Sequence, residues 1–497
     1  MTKKEKSPKK KGCCLWFALI GLGLIALVVA VPLLRICPPE GPWPQPPWCV
    51  NKDDCTNYQP SPIDGLIRTL SDAVGAEGME IPNACMIMRS YGDNTFVPYE
   101  YQELDYITGT EDYPPVDRHI YFSTFMCDYW GHNYEIDTNA FDVPQIVADN
   151  WFSMGTDTRK HNNLENSTLR LNQMGPHQSI VFTDFVFVDE NFSLAKKNYP
   201  GLNIMTQKDM NRLVAVSQEN GLEPVLDLTI IDPLFADELV KYFNSGQYGS
   251  YYDVADPLQV YNRFNLGEDT LAVHQSWRAA ILQEAEMAEK AGFSALFAKD
   301  FTGWRNTGEF VDLDNREMKQ TIAEVRKVFS GKLGAKVLGL EELSVGYDFY
   351  SDLDFVTIEV GTEKIIGGLD ENDIQGQINA WKEYLTDPAL DVLEGVPEVN
   401  VAMGINSYDG VIDGGWIEGA GHYPDLIRDD REQALIYEGF FRALYETPET
   451  KVNGIMGGYD WHDYIYPDFH EIRNDLGTST RRKDAEHVFH RWIQIFQ

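Results

Sequence analysis

From about residue 118 to residue 480 the chain repeats one pattern eight times: a short apolar run of strand length, then a stretch of amphipathic helical period. The strand phrases are HIYFSTFMCDYWG (119–131), SIVFTDFVFVDEN (179–191), EPVLDLTIIDP (223–233), FSALFAKDF (293–301), AKVLGL (335–340), SDLDFVTIEVG (351–361), EVNVAMGINSYDG (398–410) and VNGIMGGYDWHDY (452–464). Helical phrases stand between them, among them TQKDMNRLVAVSQENG, HQSWRAAILQEAEMAEKAG, REMKQTIAEVRKVFSGK, IQGQINAWKEYLTD and DREQALIYEGFFRALYE. The first opens on Thr206, a good N-cap, and stops at Gly221. Eight strands alternating with helices, with no glycine-rich dinucleotide fingerprint, predict an α/β (β/α)8 TIM barrel rather than a doubly wound sheet. Two unrelated domains would also fit the length of 497 residues, but no linker-like composition interrupts 118–480.

The N-terminus reads differently. Six lysines at positions 3, 4, 6, 9, 10 and 11 form a basic tail (1–12), followed by 22 apolar residues from Cys13 to Leu34. As a helix this run is about 33 Å long, enough to cross a hydrocarbon core of about 30 Å. The lysines should stay in the cytoplasm, which predicts a single-pass signal anchor with the barrel domain extracellular. The alternative is a cleaved signal peptide ending near Ala30. Residues 35–50 include Cys37–Cys49, with six prolines in 13 positions, the composition of a stiff stalk. Residues 51–117 form an irregular lead-in expected to pack on the barrel domain, 118–497.

Composition narrows the partners. With 77 acidic against 41 basic residues the net charge is −36, a field that repels phosphate backbones, so nucleic acid is not an expected partner. No CxxC pair occurs and EF-hand spacing is absent, so neither a metal nor a cofactor is predicted. Five cysteines follow the apolar run, which permits two intrachain bridges and one leftover thiol; Cys49 and Cys55 are one plausible pair.

In a barrel of this kind the site lies where the strands end and the strand-to-helix loops converge. The polar residues there include Asp227, Asp300, Glu359, Asn406, Tyr408, Asp460, Trp461 and His462, with Trp304, Trp416 and Tyr423 in the loops. Carboxylates mixed with flat aromatic rings suit a sugar: acids for glycosidic chemistry, rings for the C–H faces of pyranoses. The bland alternative is an acidic chain whose loops are acidic everywhere. Alternation sharpens the choice. Val356, Ile358 and Val360 share one face, so Thr357 and Glu359 point into the barrel; Leu226, Leu228 and Ile230 likewise leave Asp227 and Thr229 inside. In FSALFAKDF the parity puts Ser294, Leu296, Ala298 and Asp300 on one face. Asp300 and Glu359, from the fourth and sixth strands, are the expected catalytic carboxylates, and Lys299 is the expected counter-charge of Asp300.

The segments WRAAILQEAEMAEKAGFSALFAKDF, IAEVRKVFSGKL, YSDLDFVTIEV, DREQALIYEGFFRALYE and VNGIMGGYDWHDY resemble the clan-A glycoside hydrolases, most of all the β-mannanase-type family 113. The resemblance implies an eight-stranded barrel, a β-linked polysaccharide such as mannan, and two glutamates as acid/base and nucleophile after strands four and seven. The acid/base position falls on Asp300, and the nucleophile position on Ala402 or Met403, neither of which can attack an anomeric carbon. Asn400, Ala402, Gly404 and Asn406 share a face of that seventh strand. The FAKDF context also resembles the α-glycosidases of clan D, whose nucleophile is an aspartate after strand four. Three expectations follow: a glycosidase working through Asp300 and Glu359, a catalytically inactive barrel that binds glycans at the cell surface, or a structural surface protein. Asp227, Trp304, Asn406, Tyr408, Trp416, Asp460, Trp461 and His462 would bind the sugar.

Overall fold

A computed structural model of the chain describes residues 100–125, 168–169, 171–175, 178–188, 194–195, 205–231, 270–300, 310–415, 426–457, 478, 480 and 483–496. All belong to one unit, Thr95–Gln497. The basic tail, the apolar run 13–34, the stalk and the lead-in up to residue 99 lie outside the described residues. Among the described residues no helix is long and apolar enough to cross a membrane.

The strands are β1 (Tyr121–Phe125), β2 (Gln178–Val188), β3 (Leu194–Ala195), β4 (Glu223–Ile231), β5 (Ala295–Lys299), β6 (Lys332–Leu338), β7 (Phe355–Glu359), β8 (Glu398–Met403) and β9 (Gly454–Gly457). Eight pair in parallel in the order β1-β9-β8-β7-β6-β5-β4-β2, and β2 pairs back onto β1, which closes the barrel. The short β3 only adds an antiparallel end to β2. Each of the eight strand phrases contributes one barrel strand, shorter than the phrase or shifted from it. AKVLGL, for example, enters its strand three residues early at Lys332 and leaves it at Gly339, whose φ of 70° turns the chain into a short helix, Gly339–Leu343.

The longer helices are α1 (Gln207–Glu219), α2 (Thr270–Ala291), α3 (Val311–Val325), α4 (Ile374–Leu385), α5 (Asp430–Glu446) and α6 (Asp484–Ile495). Their ends follow the sequence. The Thr206 hydroxyl accepts from the Asp209 N–H while the Asp209 carboxylate accepts from the Thr206 N–H, a reciprocal capping box, and Gly221 leaves α1 at φ 72°. Asp373 and Asp429 cap α4 and α5 through Gly376 and Glu432.

Alternation along the strands sorts the core into two layers. Leu226, Leu228, Leu333, Val337, Val356, Ile358, Val399 and Val401 pack in the large cluster shared with the helices. Val181, Val225, Ala295, Phe297, Phe355, Ala402 and Met456 form a separate, inner cluster. Phe355 lies across Gly334 so closely that a Cβ there would sit 2.2 Å from the ring, which is why that position of β6 has no side chain. Phe297 meets Phe355 edge to face at 4.9 Å, an arrangement worth about 0.5–1.5 kcal/mol beyond burial. At the strands' N-terminal end Lys332 pairs with Glu398 at 3.2 Å and lies over the Tyr121 ring, and Asn400 donates to Glu398 at 2.8 Å. The cavity left here is about 10 Å³, no more than one water would need.

Residues 100–117 of the lead-in strap α6. Tyr101 stacks on His490 at 3.8 Å and donates to Glu486, and the Gln102 N–H donates to His487 Nδ1 at 3.2 Å. Val116 closes the strap with a parallel bridge to Phe496.

Candidate active site

β5 determines where the site's central acid points. Its register against β6 runs Phe297 to Gly334 and then Lys299 to Ala335, so Ala298 is an extra residue, a bulge. The Trp277 indole N–H holds the bulged carbonyl of Ala298 at 2.8 Å. One added residue inverts the alternation. Leu296 therefore packs outward with the helices while Asp300 turns in, and the face expected to hold both is broken between them.

Inside, Asp300 meets a lysine that is not its sequence neighbour. Lys336 Nζ lies 3.0 Å from Asp300 Oδ1 and 2.6 Å from Asp227 Oδ2, and the Ile230 N–H donates to Asp300 Oδ2 at 3.0 Å. Thr183 and Thr229 hydroxyls donate to Asp227 Oδ2 at 3.2 and 3.1 Å. The three charged residues are 1–3% exposed. Lys299, the expected counter-charge, instead goes to the other side of β5. Its ammonium pairs with Glu342 at 2.8 Å and donates to the Lys336 carbonyl at 2.7 Å, and the Tyr350 hydroxyl completes that buried group.

The electrostatics follow from two carboxyl groups sharing one ammonium in a buried interior. Burial pulls the Lys336 ammonium down, but Asp227 and Asp300 outweigh it and hold its pKa above the ordinary lysine value. Asp227 is pushed up, first by burial and then by Asp300, against the pull of Lys336. Its Oδ1 has no hydrogen-bond partner among the described residues, so that oxygen is where a proton would sit.

The other expected residues are distributed as follows. Asp227 joins Asp300 through Lys336, inside the barrel as alternation required. Glu359 ends β7 in register with Leu338 and Ala402 and is half-buried. Asn406 is buried three residues beyond β8, where α5 secures the chain: Tyr437 donates to the Met403 carbonyl and Gln433 to that of Ile405. Tyr408 is 3% exposed, with its hydroxyl donating to the Gly415 carbonyl at 2.9 Å; burial, then Glu432 and Glu363, push its pKa up to about 12. Trp304, Trp416, Asp460, Trp461 and His462 lie outside the described residues. Of the two residues expected at the seventh strand's nucleophile position, Ala402 packs in the inner cluster and Met403 in the outer one.

Two participants escaped sequence reasoning. Lys336 could have been found, because it alternates with Ala335 and Val337 in an apolar strand and so must enter the barrel. Glu342 had no such signal. Elsewhere, Glu371, Asp409, Asp429 and Glu432 bring carboxylate oxygens within 4.8 Å of one another. Glu432 there accepts from the Gly410 and Ile412 N–H groups, and Glu371 pairs with Arg431, so the cluster fastens the loop after β8 to α5.

No family model matches the sequence, and no curated relative does. Among solved structures the chain is similar to the GH113 β-mannanase AaManA from Alicyclobacillus acidocaldarius in complex with ManMIm, at 14% identity over 76% of this chain and 97% of that one, with a TM-score of 0.47. It is similar to a GH113 β-1,4-mannanase at 16% identity over 76% and 99%, TM-score 0.46. It is also similar to the endo-β-1,4-mannanase from Thermotoga petrophila at 11% identity over 76% and 77%, TM-score 0.41.

Proposed function

We propose that the barrel is a glycoside-hydrolase-like domain acting on a polysaccharide, with Asp300 and Glu359 as its working carboxylates and residues 13–34 anchoring it to the cell membrane with the barrel outside. One observation carries the reading. At the exit of the fourth barrel strand, a bulge turns an aspartate inward and gives each of its oxygens a donor, Lys336 on one and the Ile230 N–H on the other. Two donors, one of them an ammonium, suit a carboxylate, and Asp300 is assigned here as the anionic partner. Half-buried Glu359, nearer solvent, is the group that can exchange a proton. The family resemblance of the sequence makes β-mannan the first substrate to try.

The test is release of reducing ends from a panel of polysaccharides that includes β-mannan, with the wild-type chain, Asp300→Asn and Glu359→Gln. Turnover in the wild type and loss in both variants support the reading. Full activity in Asp300→Asn rejects it. A second reading, glycan binding without turnover, is favoured by the sequence, which offers Ala402 or Met403 where the resemblance implies a nucleophile glutamate; it predicts calorimetric binding of an oligosaccharide with no product. Protection of an N-terminal tag and exposure of a C-terminal one to protease added to intact cells would support the anchored topology, and the reverse would reject it.

A further inference from the structure

Lys336 needs an explanation beyond its own stability. Taking an ammonium out of water costs several kcal/mol unless it is paired, and one carboxylate would pair it. Here two converge, from β4 and from the end of β5, so the site holds one acid more than the ammonium needs, in a buried interior. The two acids stand at different places. Asp227 lies within β4, where Thr183 and Thr229 donate to it, and Asp300 follows the last residue of β5, where it accepts from Lys336 and the Ile230 N–H. The lysine stem runs past the Phe297 ring, with the ammonium 5.5 Å from its centroid, which fixes the direction from which the charge arrives. Lys299, the other cation close to Asp300, reaches only its backbone carbonyl among the bonds described, at 3.3 Å, and is neutralised by Glu342.

We propose that Lys336 is a positioning residue: braced on Asp227, its ammonium holds Asp300 as an oriented carboxylate at the mouth end of the barrel. Asp227 is thus the brace and Asp300 the presented group. The inference rests on the reading of Asp300 as a working carboxylate, but the state of that carboxyl can be measured without any turnover.

The experiment uses the full-length protein. Lys336→Met keeps the stem and deletes the charge, and it is made both in the wild type and in Asp227→Asn. Infrared spectroscopy at neutral pH then reads protonated carboxyl groups. The expected result is a new protonated-carboxyl band on deletion of Lys336 in both backgrounds, abolished by adding Asp300→Asn. If the single variant does not fold, the comparison within Asp227→Asn, where the surplus acid is gone, still decides. Should the wild type turn over polysaccharide, the acid limb of kcat/KM moves up by at least about one pH unit in Lys336→Met, the tenfold change in protonation that one unit means. Lys336→Arg, which keeps the charge, restores most of the shift. Absence of a new band overturns the proposal, as does a band that survives Asp300→Asn and disappears with Asp227→Asn, since Lys336 would then only balance Asp227. A protein that shows the band and no turnover retains the positioning role while the polysaccharide reading fails.

Discussion

Replacing Trp277 with phenylalanine removes one hydrogen bond and part of a ring from a fully buried position, at the bulge that sets the direction of Asp300. The Ala298 carbonyl loses its indole donor, and an unpaired buried polar group costs about 1–3 kcal/mol. The vanished half of the indole leaves about 40 Å³, which at ~24 cal/mol per Å³ adds about 1 kcal/mol. The sum, about 2–4 kcal/mol, should be read from the urea midpoint at unchanged slope. The same variant tests whether the bulge and the acid are mechanically linked. In a double-mutant cycle with Asp300→Asn the coupling should fall between about 0.5 and 3 kcal/mol, because a bulge freed of its indole no longer delivers Asp300 to Lys336. A loss below about 1 kcal/mol, or additivity within about 0.5 kcal/mol, would refute the argument that the indole holds the bulge and the bulge aims the acid.

Gly334→Ala forces a methyl against the Phe355 ring, so chemical denaturation should show a loss of about 1–3 kcal/mol, and a neutral result would mean the inner layer is looser than described. Glu317 is pushed up by burial, but Arg278 and Arg316 outweigh this and hold its pKa below the ordinary 4.5. A depressed acid stabilises above its unfolded value and loses that contribution as pH falls through the folded one. Glu317→Gln should therefore be less stable than wild type at neutral pH, with the difference shrinking below about pH 4.5 in denaturation curves; a constant difference contradicts the pairing. The strap on α6 should loosen in acid. His490 is held below 6.5 by burial and by His487, so its neutral form is favoured, and the contribution is present above 6.5 and lost as pH falls. His487 Nδ1 also cannot accept the Gln102 N–H once protonated. Amide exchange at Gln102, corrected for its intrinsic rate, should accelerate below about pH 6.5, and a flat profile would show that the histidines do not fasten the strap.

Much of this architecture was readable in the chain because its signals are local and periodic. Thr206, Asp209 and Gly221 specify α1 from within a few residues. The two-residue period of DFVTIEV puts Val356 and Ile358 against helices and Thr357 inside, as found. The acid's surroundings were harder to read, for two physical reasons. A bulge inserts one residue without any mark in the apolar pattern, so FSALFAKDF gave the wrong face for Asp300 relative to Leu296. Charge pairing is a matter of space rather than order: Lys299 is adjacent to Asp300 and turns to Glu342, while Lys336 comes from the next strand and meets Asp227 from 109 residues away. Only the alternation of Lys336 with its apolar neighbours hinted at this.

The packed lower end of the barrel has a consequence for traffic. With Lys332, Glu398, Asn400 and the two phenylalanines filling that end, the barrel is shut to passage along its axis from below. Any occupant would therefore have to arrive and depart by the strands' C-terminal ends, so the two events would compete for the same route.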